Sequence, residues 1–464
     1  MIKTKWPPGP SGLPIVGSLF EFRHDPTGFS LRMARDYGDA VHFLVGRQHV
    51  VQLNDPELIR DVLVTRHRAF SKGRGLDSAE IIFGNGLVRS EGDTHLRQRR
   101  LMQPAFQRER VAAYAPAVME EAVAACRRWQ EGESVDMFAQ MMRITASIAV
   151  KALFSSDLEA NFEQLGRDLK IAAEYLDQLT VPLARLLSRL PTPGRCRFMA
   201  ARHRLDTIIY AMLRERRASG KSRSDLLGML MAAQDDEGDG RGMSDLEVRD
   251  EAMVIFLAGH ETTATALTWT WYLLAEHPSI EKELHEELDT VLDGRFPRLA
   301  DLERLRYTRM VIAESMRLYP PVWLISRRAL SDYAFSKWHV PAGTTIGMSQ
   351  YVMHRDPRYY PDPETFDPLR WTDEELAKRP KYSYFPFGGG PRVCIGESFA
   401  WMEATLILAT LCQIWRARTS PGHNVQLQPL IALRPRGGMP MQLERRRADA
   451  QPLSAFEPKL VVNA

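Results

Sequence analysis

Cysteine is scarce: 464 residues hold four. Cys126, Cys196, Cys394 and Cys412 lie far apart, no two at zinc-ligand spacing, which excludes a disulfide scaffold or a zinc knuckle. An excess of one charge sign is also missing. Lys and Arg number 61 and Asp and Glu 58, a net charge of +3, too little to indicate nucleic acid as a partner of the whole chain. There is no long uninterrupted apolar run. The most hydrophobic stretch, Ala252 to Ala275, is broken by His260 and Glu261, so it reads as a buried helix and not a membrane span. Met1 to Trp6 carry no apolar segment, so neither a signal peptide nor a membrane anchor is expected, and a reducing cytoplasm is the simplest location. Hydrophobic residues at 44% and charged residues at 26% instead describe a globular chain with a large core. No repeat and no flexible linker divides it.

Trp6 to Gly17, dense in proline and glycine, predicts an extended lead-in. Ala40–Val45 and His49–Leu53, separated by Gly46-Arg47-Gln48, predict a hairpin. From Asp55 to about Ala329 the spacing of apolar residues is helical. Short strand patterns return between Leu330 and Met348, and His354 to Trp371 reads as a long ordered loop. The tail after Arg447 is expected to be loose. Asp235, Glu237, Asp239 and Gly240 imitate a calcium loop, but Leu246 stands where the twelfth-position Glu belongs. An acidic surface loop is predicted, with Ser244 and Glu247 forming a capping box for the next helix.

That helix is predicted to run from Ser244 to about Ala275 and to stop at His277-Pro278. At its middle Ala258-Gly259-His260-Glu261-Thr262-Thr263 combines small residues with an acid and hydroxyls, a place for a ligand to lie against the helix while protons are managed. A buried, internally satisfied polar turn fits the same residues. HExxH zinc chemistry is excluded, since Ala264 occupies the second histidine position. Phe387-Gly388-Gly389-Gly390-Pro391-Arg392-Val393-Cys394-Ile395-Gly396 leads into a helical run from Glu397 to Trp415. A cysteine before a helix start is favoured as thiolate, which suits a metal ligand. Cys126, Cys196 and Cys412 are expected to be plain buried thiols. Glu314 and Arg317 lie three apart in apolar surroundings, so a buried pair with further partners is expected.

Together these motifs resemble the cytochrome P450 family of haem-thiolate monooxygenases across nearly the whole chain. FxxGxRxCxG is met at Phe387, Gly390, Arg392, Cys394 and Gly396, and ExxR at Glu314 and Arg317. Arg370, in Phe366-Asp367-Pro368-Leu369-Arg370-Trp371, completes the family's triad, and Ala258, Gly259, Glu261 and Thr262 match its mid-helix motif. The resemblance implies a mainly α fold with a small β region, residues 1–447 forming one domain, and haem b (iron protoporphyrin IX) buried between the long central helix and the cysteine-loop helix. It makes Cys394 the iron ligand, with Phe387 and Gly396 shielding the sulfur. Glu314, Arg317 and Arg370 become structural, and Glu261 and Thr262 the oxygen-activation pair that relays protons. His95, Arg99, Arg327 and Arg392 are candidates for the haem propionates, with Arg328 an alternative to Arg327; the family often has Trp at the His95 position.

The distal pocket is expected from Lys72–Val88, Ile255–Ala258, Val322–Ile325 and Pro429–Leu433. Ile81, Phe83, Leu87, Phe256, Val322, Trp323, Leu324 and Ile431 would line it, implying a small lipophilic substrate of fatty-acid, terpenoid or steroid type. Residues 157–214 would form a lid. Arg89 to Arg110 hold six arginines and three acids, a candidate basic face for an acidic redox protein. No flavin or nicotinamide fingerprint follows Cys394, so a separate ferredoxin or flavodoxin-type donor, acting with O2 on a monomer, is expected. A peroxide-driven peroxygenase or isomerase, or a haem sensor, would share the fold.

Overall fold

Near the start of the computed structural model, Ala40–Val45 pairs antiparallel with Gln48–Leu53, and Phe43 faces Val50 across the ladder. Gly46 turns the hairpin at φ +62, a left-handed conformation that glycine adopts without a Cβ penalty. The structure describes residues 5–73, 79–154, 190–220, 225–238 and 240–446, with a few positions between 164 and 175. Apart from those positions, the expected lid up to residue 189 lies outside the described residues, as do residues 74–78 of the expected pocket wall and the 448–464 tail.

Two compact units interleave along the chain. One comprises residues up to 77, 313–394 and 431–433; the other comprises 78–312, 395–430 and 434 onward. In the first, Gln48–Leu53 runs parallel to Thr345–Met348, which pairs antiparallel with Ile325–Ala329, itself antiparallel to Phe70–Lys72, giving a five-stranded sheet. Val51, Leu53, Ile59, Val62, Ile346 and Met348 are buried together behind it, each contributing about 1.5–3 kcal/mol when fully enclosed. The strand Ile325–Ala329 begins inside the region read as helical. Its sequence, ISRRA, has little strand character, and pairing on both sides decides its conformation.

The second unit is built on one helix, Asp245–Glu276, which matches the predicted boundaries. Ser244 Oγ accepts from Glu247 N–H, and the Glu247 carboxylate accepts from Ser244 N–H at 2.8 Å. His277 closes its C-terminus and Pro278 opens the next helix. This central helix packs against Met137–Phe154 and Glu397–Cys412, burying Trp269 and Trp271 almost completely. The helix after the cysteine ends at Cys412, earlier than predicted. Trp415 starts a strand instead, held by its indole N–H on Cys126 C=O and by an edge contact with Trp129.

Two further expectations are corrected. Cys196 is exposed, lying on the outer face of Pro193–Ser219 while Phe198 and Ala201 turn inward. In the expected acidic surface loop Asp236 and Glu237 are exposed, and only Asp235 departs: it is buried, with Arg100 gripping both its carboxylate oxygens at 2.8 Å. Asp239 lies outside the described residues. No helix among the described residues is long and apolar enough to cross a membrane.

Candidate active site

The cysteine loop is shaped by two left-handed glycines, Gly388 at φ +75 and Gly390 at φ +67. A Cβ on Gly390 would come within 1.9 Å of Leu63 O, so both the conformation and the space demand glycine. Cys394 N–H donates to Phe387 O at 3.0 Å and Val393 N–H to Gly390 O, which closes the loop and leaves Cys394 exposed at its end. Cys126 and Cys412 are fully enclosed, and burial pushes both thiols well up in pKa. Their thiolates are disfavoured, so of the three cysteines the motif does not claim only Cys196 is accessible.

Beneath the loop, Arg317 is fully buried with all five of its N–H donors engaged. Nε and Nη2 reach the two oxygens of Glu314 at 2.8 Å, Nη1 reaches His354 O and Pro363 O, and Nη2 also reaches Thr365 O. Glu314 in turn accepts from Asp367 N–H at 3.0 Å and from the Trp371 indole at 2.9 Å. Arg370 lies 3.5 Å from Glu314 as an ion pair and donates its Nη2 hydrogen to Asp362 O. The triad is therefore assembled, with Trp371 holding the carboxylate by the shorter contact. His354 links this network to the cysteine loop. Its Nε2 accepts from Phe385 N–H, which places the ring proton on Nδ1, and burial followed by the positive Arg317 and Arg355 holds it neutral.

In the other unit, the central helix is buried over most of its surface, but Ile255, Gly259 and Thr262 are half-buried and Ala258 is exposed. Spaced at i, i+3, i+4 and i+7, these four make one open stripe. A Cβ on Gly259 would meet nothing within 4 Å. Ala258 and Gly259 leave room on this stripe for a flat cofactor, as an accessible cysteine suits its iron. Thr262 Oγ donates to Ala258 O at 2.8 Å. Glu261 is buried, and Arg434 grips one of its oxygens with Nε at 2.6 Å and Nη2 at 2.5 Å. His260 points elsewhere, its Nδ1 bonded to Phe256 O and its ring held neutral by burial, so the satisfied-turn reading holds for this residue.

His95 is buried and Arg99 half-buried on the helix Gly92–Met102, whereas Arg327 lies on the strand Ile325–Ala329 and Arg392 on the single turn Gly390–Arg392. Among the pocket candidates, Phe83, Leu87 and Phe256 are buried and Ile81 half-buried in one unit. In the other unit Trp323 is buried, Val322 and Leu324 are half-buried, and Ile431 is 40% exposed. Within the stretch expected as a basic face, Arg97 pairs with Glu247, Arg100 with Asp235, Arg89 with Glu80 and, at the exposed surface, Arg108 with Glu303.

A group absent from the sequence-based reading is Glu403, on the helix Glu397–Cys412 and 1% exposed. Burial raises its pKa from 4.5 to about 8, against the opposing hydrogen bond from Thr263. The folded state thus holds a proton that the unfolded chain releases, and this contribution to stability is lost as pH rises from about 4.5 through about 8. Glu403→Gln is expected to raise the melting temperature relative to the unsubstituted protein, more at pH 9 than at pH 5. Equal differences at the two pH values would contradict the buried neutral carboxyl.

The cytochrome P450 family model matches residues 7–439. The chain is 39% identical over 426 residues to cyclooctatin synthase of Streptomyces melanosporofaciens, covering 91% of this chain and 92% of that protein. It is 36% identical over 423 residues to pentalenene oxygenase of Streptomyces avermitilis, covering 90% and 92%. The solved structure of retinoic acid bound cyanobacterial CYP120A1 superposes with a TM-score of 0.85 at 27% identity, covering 96% of this chain and all of that one. Agreement in sequence, fold and local geometry leads to one conclusion: the chain belongs to the cytochrome P450 family and is a haem-dependent monooxygenase.

Proposed function

We propose that this monooxygenase hydroxylates a cyclic terpenoid. The open stripe of Ile255, Ala258, Gly259 and Thr262 on an otherwise buried helix carries this reading, and relatives named for oxidation of pentalenene and cyclooctat-9-en-7-ol support the terpenoid class. Haem b bound through the Cys394 thiolate would supply the reduction of dioxygen and the insertion of one oxygen atom into a C–H bond. The propionates would take His95, Arg99, Arg327 and Arg392, and Phe387 and Gly396 would shelter the sulfur.

The residues of the central helix manage protons. Thr262 offers a hydroxyl whose hydrogen now rests on Ala258 O and can turn toward a ligand on the open stripe. Glu261 receives protons from solvent when Arg434 releases it, and passes them toward Thr262. The pocket candidates contribute only apolar surface, so the substrate is held by shape and exclusion of water. Electrons come from a separate ferredoxin or flavodoxin-type protein to a cytoplasmic monomer.

Titration of the haem-loaded protein with pentalenene, dodecanoic acid and a steroid tests this. The low-to-high-spin spectral shift is expected to be strongest with pentalenene, followed by a hydroxylated product when ferredoxin, its reductase and O2 are supplied. A shift only with dodecanoic acid or the steroid would overturn the terpenoid assignment. Full turnover with peroxide and no donor would replace the monooxygenase route by a peroxygenase one.

A further inference from the structure

Three consecutive charged residues of the central helix, Arg249, Asp250 and Glu251, are each at most 5% exposed. All three are turned onto one short segment. Arg249 Nη1 donates to Ile82 O at 3.1 Å, the Asp250 carboxylate accepts from Asn85 N–H at 2.9 Å, and the Glu251 carboxylate accepts from Leu87 N–H at 3.0 Å. Arg249 also bonds Asp250 at 2.9 Å and, through Nε, Asp206 on the helix Pro193–Ser219 at 2.6 Å. Gly84 O and Asn85 O are taken by Arg89 and Gln98. After the short helix Glu80–Phe83, Gly84 and Gly86 N–H bond back to Glu80 O and Phe83 O, and these side chains supply partners for the Asn85 and Leu87 amides and the Ile82, Gly84 and Asn85 carbonyls.

The charges make this arrangement specific. One guanidinium faces two carboxylates, those of Asp206 and Asp250, with Arg202 adding a second cation 3.5 Å from Asp206, while Glu251 is held by the Leu87 amide. Buried carboxylates of this kind need donors, and the Asn85 and Leu87 amides serve as such. Gly84 sits at φ +53 with the Asp250 carboxylate only 2.0 Å from where a Cβ would stand, so the clamp closes tightly only on glycine.

We propose that Arg249, Asp250 and Glu251 are positioning residues for substrate selection, locking the Phe83–Leu87 wall to the central helix and, through Asp206, to the helix Pro193–Ser219. None of the three need touch substrate. The proposal rests on the reading of Phe83 and Leu87 as pocket wall, and it deepens that reading by naming what decides their place.

The test uses the full-length haem-loaded protein and Glu251→Leu, with Glu251→Gln as the conservative variant that keeps an acceptor oxygen. Gly84→Ala is the independent disruption from the other side. Amide hydrogen exchange over residues 82–90 is read first, then dissociation constants for pentalenene, dodecanoic acid and a steroid. Glu251→Leu and Gly84→Ala are expected to speed exchange at Leu87 about tenfold, the value of one lost hydrogen bond, and to change the ratios among the probe constants, with Glu251→Gln restoring both. Unchanged exchange overturns the clamp. Faster exchange with constant ratios overturns the selective role and leaves only scaffolding. If no probe binds the unsubstituted protein, the substrate assignment fails by itself, and the exchange result and its rescue by Glu251→Gln still decide the clamp.

Discussion

Arg317→Ala is expected to yield protein that fails to retain haem, with stability lowered by about 3–5 kcal/mol, the usual effect of removing one partner of a buried pair. Total stabilities of domains are about 5–15 kcal/mol, so the loss is a large fraction of what holds the fold. Substitution would strand Glu314 without its closest cation and orphan the carbonyls of His354, Pro363 and Thr365. His354 then no longer steadies Phe385 N–H, and the loop carrying Cys394 loosens. Arg317→Lys should fare little better, since three ammonium hydrogens cannot replace five guanidinium donors in a planar array. Haem per chain and the midpoint of urea unfolding measure both effects. Full haem content in Arg317→Ala would refute the structural role.

Cys394→Ser should abolish the strongly red-shifted absorption band of the reduced carbon monoxide complex and lower hydroxylation on the order of a thousandfold, equivalent to about 4 kcal/mol of barrier. A serine hydroxyl keeps its proton at neutral pH and lacks the electron donation that a thiolate provides. The same geometry allows a clear comparison. Cys126 and Cys412 are enclosed and held as thiols, so serine there should leave the band in place. Retention of the band in Cys394→Ser would transfer the ligand role to the exposed Cys196.

What was legible in the sequence is what neighbouring residues decide. Ser244 and Glu247 are three apart, and their reciprocal hydrogen bonds fix where the central helix starts. Gly390 and Cys394 share one loop motif, and Glu314 and Arg317 share one helix turn in apolar surroundings, so spacing and neighbours together suggested a buried pair. The partners that complete these features are distant in the chain. Arg434 lies 173 residues from Glu261, and Trp371 lies 57 from Glu314; neither indole nor guanidinium has a spacing rule to announce it. The acids that meet the basic run from Arg89 to Arg110, namely Asp235, Glu247 and Glu303, are likewise distant in the chain. The buried triplet Arg249, Asp250 and Glu251 carries no spacing signal in the sequence that would announce its burial. Only tertiary structure turns those charges inward onto backbone groups.

Arg317 also has a consequence for the order of assembly. Its bond to Glu314 spans three residues and can form as the helix forms, whereas its carbonyl partners lie 37, 46 and 48 residues away. Closing loops of that length carries an entropic cost that must be met before those contacts contribute. The guanidinium therefore remains incompletely bonded until the segment from His354 to Thr365 has docked. Because His354 then captures Phe385 N–H, the cysteine loop is set in place after that docking step. Presentation of Cys394 is therefore expected to follow docking of that segment, so that a fixed metal-binding sulfur forms only over a completed scaffold.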